Sequence, residues 1–151
     1  MPVIPNRLYI ACDHAGFDLK QYIKSTLIKN ISKNCQIVDL GCYSSKESVD
    51  YPDFAQKLCK QIDVNNNEFG ILICGSGIGM SICANKFINI RAALCQNQDL
   101  AFLSRAHNNA NILCLGARFL DEEDAFNIVQ TFISTPFSNG RHQVRIDKIE
   151  L

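Results

Sequence analysis

Leu72-Ile73-Cys74-Gly75-Ser76-Gly77-Ile78-Gly79-Met80-Ser81 joins an apolar strand to a helix through three alternating glycines. It continues an apolar run that begins at Phe69, of the kind a buried strand needs, and turns through alternating glycines into a helix. Such a turn points several backbone N–H groups at one spot, beside the positive end of a helix dipole. That spot suits a phosphate, or an oxygen that becomes negative during a reaction. Cys74 stands at its lip, where a thiol can be made acidic.

Outward from this turn the same strand-then-helix pattern recurs. Strand-like runs at 8–12, 36–40, 69–74, 90–94 and 112–115 alternate with helix-like stretches. Leu19, Ile23 and Leu27 recur at helical spacing, as do Phe54, Leu58 and Ile62. Pro52 suits a first helical turn, and Asp121 suits the N-cap of a helix running to about residue 133. Leu100, Leu103 and Ser104 belong to a helix that ends at His107-Asn108-Asn109. Near-continuous apolar strands separated by helices predict a parallel sheet covered on both faces. With right-handed crossovers this is a three-layer α/β/α, Rossmann-like doubly wound domain on a five-stranded parallel sheet. The polar loop 63–68 reads as a connection only. The tail from Pro136 is too polar for a sixth core strand and reads as a C-terminal extension of one domain, 1–151.

Composition narrows the function. The chain has 151 residues, 47% of them hydrophobic and 20% charged, as in an ordinary globular protein. Lys+Arg and Asp+Glu both number 15, so no basic excess argues for nucleic acid or an anionic membrane surface. No apolar run approaches the roughly 20 residues of a membrane span. Residues 1–7 carry no signal-like apolar segment, and a cytoplasmic location is expected. Eight cysteines without C-x-x-C or metal-ligand spacing predict neither a disulfide framework nor a metal site. Apart from Cys74 they read as small buried hydrophobes.

Ligands of such folds bind beyond the carboxyl ends of the strands, here at Asp13-His14, 41–45, 74–79, 95–97 and Gly116-Ala117-Arg118. The glycine turn lacks the P-loop lysine and the acidic residue of a dinucleotide fingerprint, and Cys74 replaces the first glycine of a nucleophile elbow. It reads as an anion cradle, or else as a tight turn with glycine for packing. Asp13 is an N-cap or an acid–base group. His14 and His107 are either functional or structural, since a histidine at a helix C-terminus also complements the dipole. Arg118 follows the last strand, and Arg141 and Arg145 share a face if their segment is helical. They are solvated surface charges or bidentate phosphate ligands. Together these residues suggest a small phosphorylated molecule with acid–base groups around it.

Several segments carry a family resemblance: Cys12-Asp13-His14-Ala15-Gly16-Phe17, Asp50-Tyr51-Pro52, Ile73 to Gly79, Ala84-Asn85-Lys86, Ile90-Arg91-Ala92, Ser104-Arg105-x-His107-Asn108, Leu115-Gly116-Ala117-Arg118 and Gly140-Arg141-His142-x-x-Arg145. In this collinear order the chain resembles the type B ribose-5-phosphate isomerases of the ribose/galactose-6-phosphate isomerase family. The resemblance implies interconversion of ribose 5-phosphate and ribulose 5-phosphate through an enediolate, with no metal or organic cofactor. It also implies a homodimer with active sites shared at the subunit interface, sometimes paired into a tetramer. By the same resemblance Cys74 moves a proton between C1 and C2. A second subgroup uses a glutamate six residues later, where this chain has Met80, so the chain resembles the cysteine subgroup. Gly75, Gly77 and Gly79, aided by Ser76, would hold the enediolate oxygen; many cysteine-type relatives carry threonine at position 76. His107, with Asp13 nearby, would open the furanose ring. Tyr51 and Asn108 would contact sugar hydroxyls, and Arg118, Arg141 and Arg145, with His14, would hold the phosphate. Some of these would come from the partner subunit. The family also contains isomerases of six-carbon sugar phosphates (allose 6-phosphate and galactose 6-phosphate), which stand as the alternative substrates. A non-catalytic phosphosugar-binding module and a nucleotide-binding domain are the remaining alternatives. The presence of Cys74 and His107 together argues against pure binding.

Overall fold

Eleven strands and helices follow one another in the computed structural model, which describes residues 4–31 and 33–149. They are β1 (Arg7–Cys12), α1 (Phe17–Asn30), β2 (Gln36–Asp39), α2 (Tyr51–Gln61), β3 (Glu68–Cys74), α3 (Ile78–Ala84), β4 (Ala92–Leu94), α4 (Gln98–Ala106), β5 (Ile112–Gly116), α5 (Glu122–Ser134) and α6 (Arg141–Asp147). The sheet order is β2-β1-β3-β5-β4, with every pairing parallel. Successive strand residues face opposite sides. Leu8, Ile10, Ile71, Ile73, Leu113 and Leu115 pack against α1, α4 and α5. Tyr9, Ala11, Leu72, Cys74, Ile112 and Cys114 pack against α2 and α3. The predicted three-layer doubly wound architecture is the one observed.

Local physics explains the differences in detail. The strand expected at 90–94 begins only at Ala92, because Ile90 and Arg91 are taken up by another bond set. Asn111 accepts the Arg91 amide through Oδ1 at 2.9 Å, and the Arg91 carbonyl accepts the Asn111 and Ile112 amides at 3.0 and 3.3 Å. The segment 63–68 is more than a connection. Asp63 caps a short 3-10 turn, and Glu68 is the first residue of β3 and 3% exposed. Its carboxylate accepts the Asp63 amide (2.8 Å), the Asn66 side-chain amide (3.2 Å) and the Arg7 guanidinium (3.2 Å). Asp121 caps α5 as predicted, its Oδ1 accepting the Asp124 amide at 2.8 Å. The polar tail forms α6, which places Arg141 and Arg145 four apart on one helix.

Helical periodicity gave no sign of Lys20, which is fully buried in α1. Its ammonium donates to Asp39 Oδ1 and to the Cys42 carbonyl, each at 2.6 Å. Asp39 also accepts from Lys24 at 2.7 Å and from the Gly41 amide at 2.9 Å. The cluster ties the turn after β2 to α1. Burial pushes the Asp39 carboxyl up, but bonds from Lys20, Lys24 and the Gly41 amide outweigh it and leave the group below its ordinary value. A depressed carboxyl stabilises the fold fully above the ordinary range near about 3.9 and loses that stabilisation as pH falls further. Asp39→Asn strands a buried ammonium and is expected to cost about 3 kcal/mol in urea unfolding at pH 7. The deficit relative to the unsubstituted protein should be constant from pH 7 to 5 and shrink below about pH 4.

Candidate active site

Cys74 is the last residue of β3, 5% exposed, and its Sγ accepts the Gly77 N–H at 3.1 Å. The sulfur is thus held inside the glycine turn by one of the turn's own amides. The turn after β5 locks onto it: the Ala117 amide donates to the Cys74 carbonyl (2.9 Å) and the Arg118 amide to the Gly75 carbonyl (3.0 Å). A Cβ on Gly75 would lie 2.7 Å from Arg118 Nη1, so the guanidinium rests against the turn. A Cβ on Gly79 would lie 2.5 Å from the Tyr51 ring, which covers the other side from the start of α2. Gly77 is left-handed (φ 76°) and leaves no room for a side chain beside Leu94 and the Leu115 backbone. Ser76 Oγ accepts the Ile78 amide at 3.2 Å.

Asp13 follows β1 at the same edge. Its amide donates to the Ile73 carbonyl (3.1 Å), and its Oδ1 accepts the Ala15 and Gly16 amides at 3.0 and 3.1 Å. It is therefore an N-cap, with Oδ2 free of hydrogen bonds among the described residues. His14 Nδ1 accepts the Val49 amide at 3.1 Å, so the neutral ring carries its proton on Nε2. Asp13, His14, Tyr51, Cys74, Ser76, the three glycines and Arg118 all meet at the carboxyl edge of the sheet. Burial pushes other cysteines up: Cys59 to about 12, Cys95 to about 11, and Cys114 well above its ordinary value, with Cys74 adding to the rise at Cys114. Those thiols stay protonated and behave as small core hydrophobes. Among the described residues no three His, Cys, Asp or Glu side chains converge so as to hold a metal ion.

His107, Asn108, Arg141 and Arg145 do not join this group within one chain. After β4, α4 runs back across the sheet to deliver the chain to the start of β5, and His107 caps its C-terminus. From Ile112 to Gly116, which pairs with Cys74, is four residues, about 13 Å of strand. His107 therefore lies toward the amino edge, and the expectation that it falls beside or folds toward the ligand edge, with Asp13 nearby, is not met in a single chain. Its ring instead stacks on His142 of α6, with centroids 4.2 Å apart and planes 12° apart. His142 is not among the expected site residues, although its place between Arg141 and Arg145 marks it in the sequence. Desolvation, then His107, Arg141 and Arg145, push His142 below its ordinary value. Arg141 and Arg145 are exposed beside it.

A doubly wound domain with a thiol inside an amide-lined turn at its carboxyl edge defines an α/β enzyme class acting on small anionic substrates. Residues 8–149 match the ribose/galactose isomerase family, and the chain belongs to that family. It is similar to ribose-5-phosphate isomerase B of Escherichia coli (strain K12), 39% identical over 143 residues, covering 95% of this chain and 93% of the relative. Among solved structures it is similar to a ribose 5-phosphate isomerase of Thermotoga maritima (TM-score 0.88, 53% identity, 95% of this chain and 97% of that one). It is also similar to ribose-5-phosphate isomerase B of Mycoplasma genitalium with bound ribulose-5-phosphate (TM-score 0.84, 41% identity, 95% and 93%).

The two kinds of glycine in the turn should behave differently. Gly77→Ala is expected to lose about 1–3 kcal/mol in chemical unfolding, because its φ and its backbone neighbours leave no way out. Gly75→Ala meets only the movable end of Arg118. It should keep its stability within about 1 kcal/mol while weakening sugar-phosphate binding by calorimetry.

Proposed function

We propose that the chain interconverts ribose 5-phosphate and ribulose 5-phosphate through an enediolate, as a homodimer whose two active sites each draw on both subunits. The observation that carries the chemistry is the Cys74 sulfur at 3.1 Å from the Gly77 amide, inside the turn that must also receive the substrate. As thiolate, Cys74 takes the proton from C2 of the open-chain aldose and returns it to C1. The amides of 75–79, with Ser76, face the oxygen that becomes negative, in the manner of an oxyanion hole. Met80 is fully buried and offers no competing base, which supports the cysteine subgroup. Tyr51 and Arg118, against opposite parts of the turn, bind a sugar hydroxyl and the phosphate, with His14 beside them.

The second half of the reading follows from the chain's own split. His107, Asn108, Arg141 and Arg145 carry ring-opening, hydroxyl and phosphate chemistry, yet stand toward the opposite edge from Cys74. A two-fold dimer solves this by bringing the amino-edge cluster of one copy to the carboxyl-edge turn of the other. There His107 moves protons on and off the ring and anomeric oxygens, with Asp13 Oδ2 of the facing copy nearby. The surface next to the turn suits such contact, since Ile78 and Ile82 of α3 are both more than half exposed. The eight free cysteines support a reducing, cytoplasmic compartment.

Cys74→Ala and His107→Ala are each expected to lose isomerisation, and Cys74→Ala should keep sugar-phosphate binding in calorimetry. Co-refolding the two inactive variants in equal amounts should restore up to about a quarter of full activity. Half the dimers are then mixed, and each mixed dimer holds one intact site. Absence of any recovery in verified mixed dimers would remove the shared site, and full turnover by Cys74→Ala would remove the base.

A further inference from the structure

Among the described residues Arg105, 4% exposed, is the one buried cation that makes no ion pair with a carboxylate. Its guanidinium carbon lies 4.2 Å from the centre of the Phe69 ring and 5.7 Å from that of Phe132, two rings that meet edge to face. Its Nε is buried with no hydrogen-bond partner among the described residues. An apolar side chain could fill this slot between two aromatic rings without the desolvation penalty of a cation. What the charge does there is visible at its other end. Nη1 donates to Asn109 Oδ1 at 2.9 Å and to the Ala110 carbonyl at 2.5 Å. From the other side Arg91 Nε donates to the Asn108 and Asn109 carbonyls at 3.1 and 3.2 Å. Two arginines thus grip three consecutive residues, 108–110, of a turn whose Asn109 is left-handed (φ 46°).

We infer that Arg105 is a positioning residue for ring opening: braced on Phe69 and Phe132, it fixes the turn that carries His107 and Asn108. This rests on the isomerase reading above. The turn begins at the end of α4, where the His107 amide donates to the Leu103 carbonyl at 2.9 Å, and it closes with the Ala110 amide on the Ser104 carbonyl, also 2.9 Å. Between those two bonds only the arginine contacts hold the carbonyls of 108–110 in place from the described side chains. The anchor is β3 itself, since Phe69 lies near the start of the strand that ends at Cys74. Burial and nearby Arg91 push the Arg105 guanidinium down to about 10, still charged at neutral pH, so the grip is intact where the enzyme works.

The test separates ring opening from carbon–hydrogen chemistry. Ribose 5-phosphate reaches the enzyme as a closed ring and needs opening. Ribulose 5-phosphate is open-chain, and exchange of its C1 hydrogen with D2O needs only the base. Arg105→Met is expected to fold with a Tm lower by a few degrees, because the apolar fill of the slot is offset by a buried Ala110 carbonyl left without its donor. It should lose about 10- to 100-fold in kcat on ribose 5-phosphate, since small displacements of reacting groups carry penalties of that order. Its exchange of the C1 hydrogen of ribulose 5-phosphate, read by proton NMR, should fall by less than about threefold. Asn109→Gly, which removes one acceptor and tolerates the left-handed φ, should show the same split at about 5- to 10-fold. That variant decides the matter if Arg105→Met fails to fold. Wild-type turnover of ribose 5-phosphate in both variants, or equal loss of turnover and exchange, overturns the role of Arg105. An unsubstituted protein that neither consumes ribose 5-phosphate nor exchanges the proton overturns the isomerase reading instead.

Discussion

The register of β3 against β5 is the constraint on which the rest depends. It sets Cys74 opposite Gly116, so the two turns that leave these strands interleave rather than pass by. The fit is tight: a Cβ on Gly116 would stand 2.6 Å from the Ser76 carbonyl oxygen. Backbone bonds from Ala117 and Arg118 then stitch the second turn to the first. A shift by one residue would move every side chain of the strand to the other face, and Cys74 would leave the α2–α3 side where the turn closes over it. The position of the thiol, the direction of its amide donor and the approach of Arg118 are consequences of one strand pairing.

Around this point the fold spends polar groups to immobilise loops that would otherwise move. Lys20 and Asp39 fix the turn after β2, and the amide of Val49 in the same loop ends on His14. Asp13 uses one carboxylate oxygen to hold its own turn. At the far edge Arg105 and Arg91 do the equivalent for the turn after α4. Buried charges are rarely good bargains for stability alone. Here each one holds a loop in place, and rigid loops matter where reacting groups must be positioned.

The sheet carries a polar cluster at each of its two edges, which the proposed dimer would join into one site. At the carboxyl edge are a thiol, an amide-lined turn and an arginine; at the amino edge are a stacked histidine pair and two exposed arginines. Neither set is complete for moving a proton along a sugar whose ring must first be opened. Dimerisation is, on this view, part of the catalytic apparatus. Exposed Ile78 and Ile82, next to the turn, would give the proposed association its apolar driving force.

Strand existence, helix periodicity, the Asp121 cap and the glycine turn were legible in the residues, because each depends on neighbours within a few positions. That Cys74, Asp13, His14 and Arg118 share one edge was legible because the ends of parallel strands lie at one edge whatever the packing, whereas Tyr51, at the start of α2, entered only through the family resemblance. The sequence by itself determined the layer architecture and which residue types face that edge. Only the tertiary structure decided that His107 sits with His142 at the other edge, that Lys20 and Glu68 are buried in hydrogen-bonded clusters, and that Arg105 lies between two aromatic rings. The physical reason is range. Helix and strand patterns are local, whereas the meeting of residues 69, 105 and 132, or of 107 and 142, is settled by how the chain crosses the sheet between them.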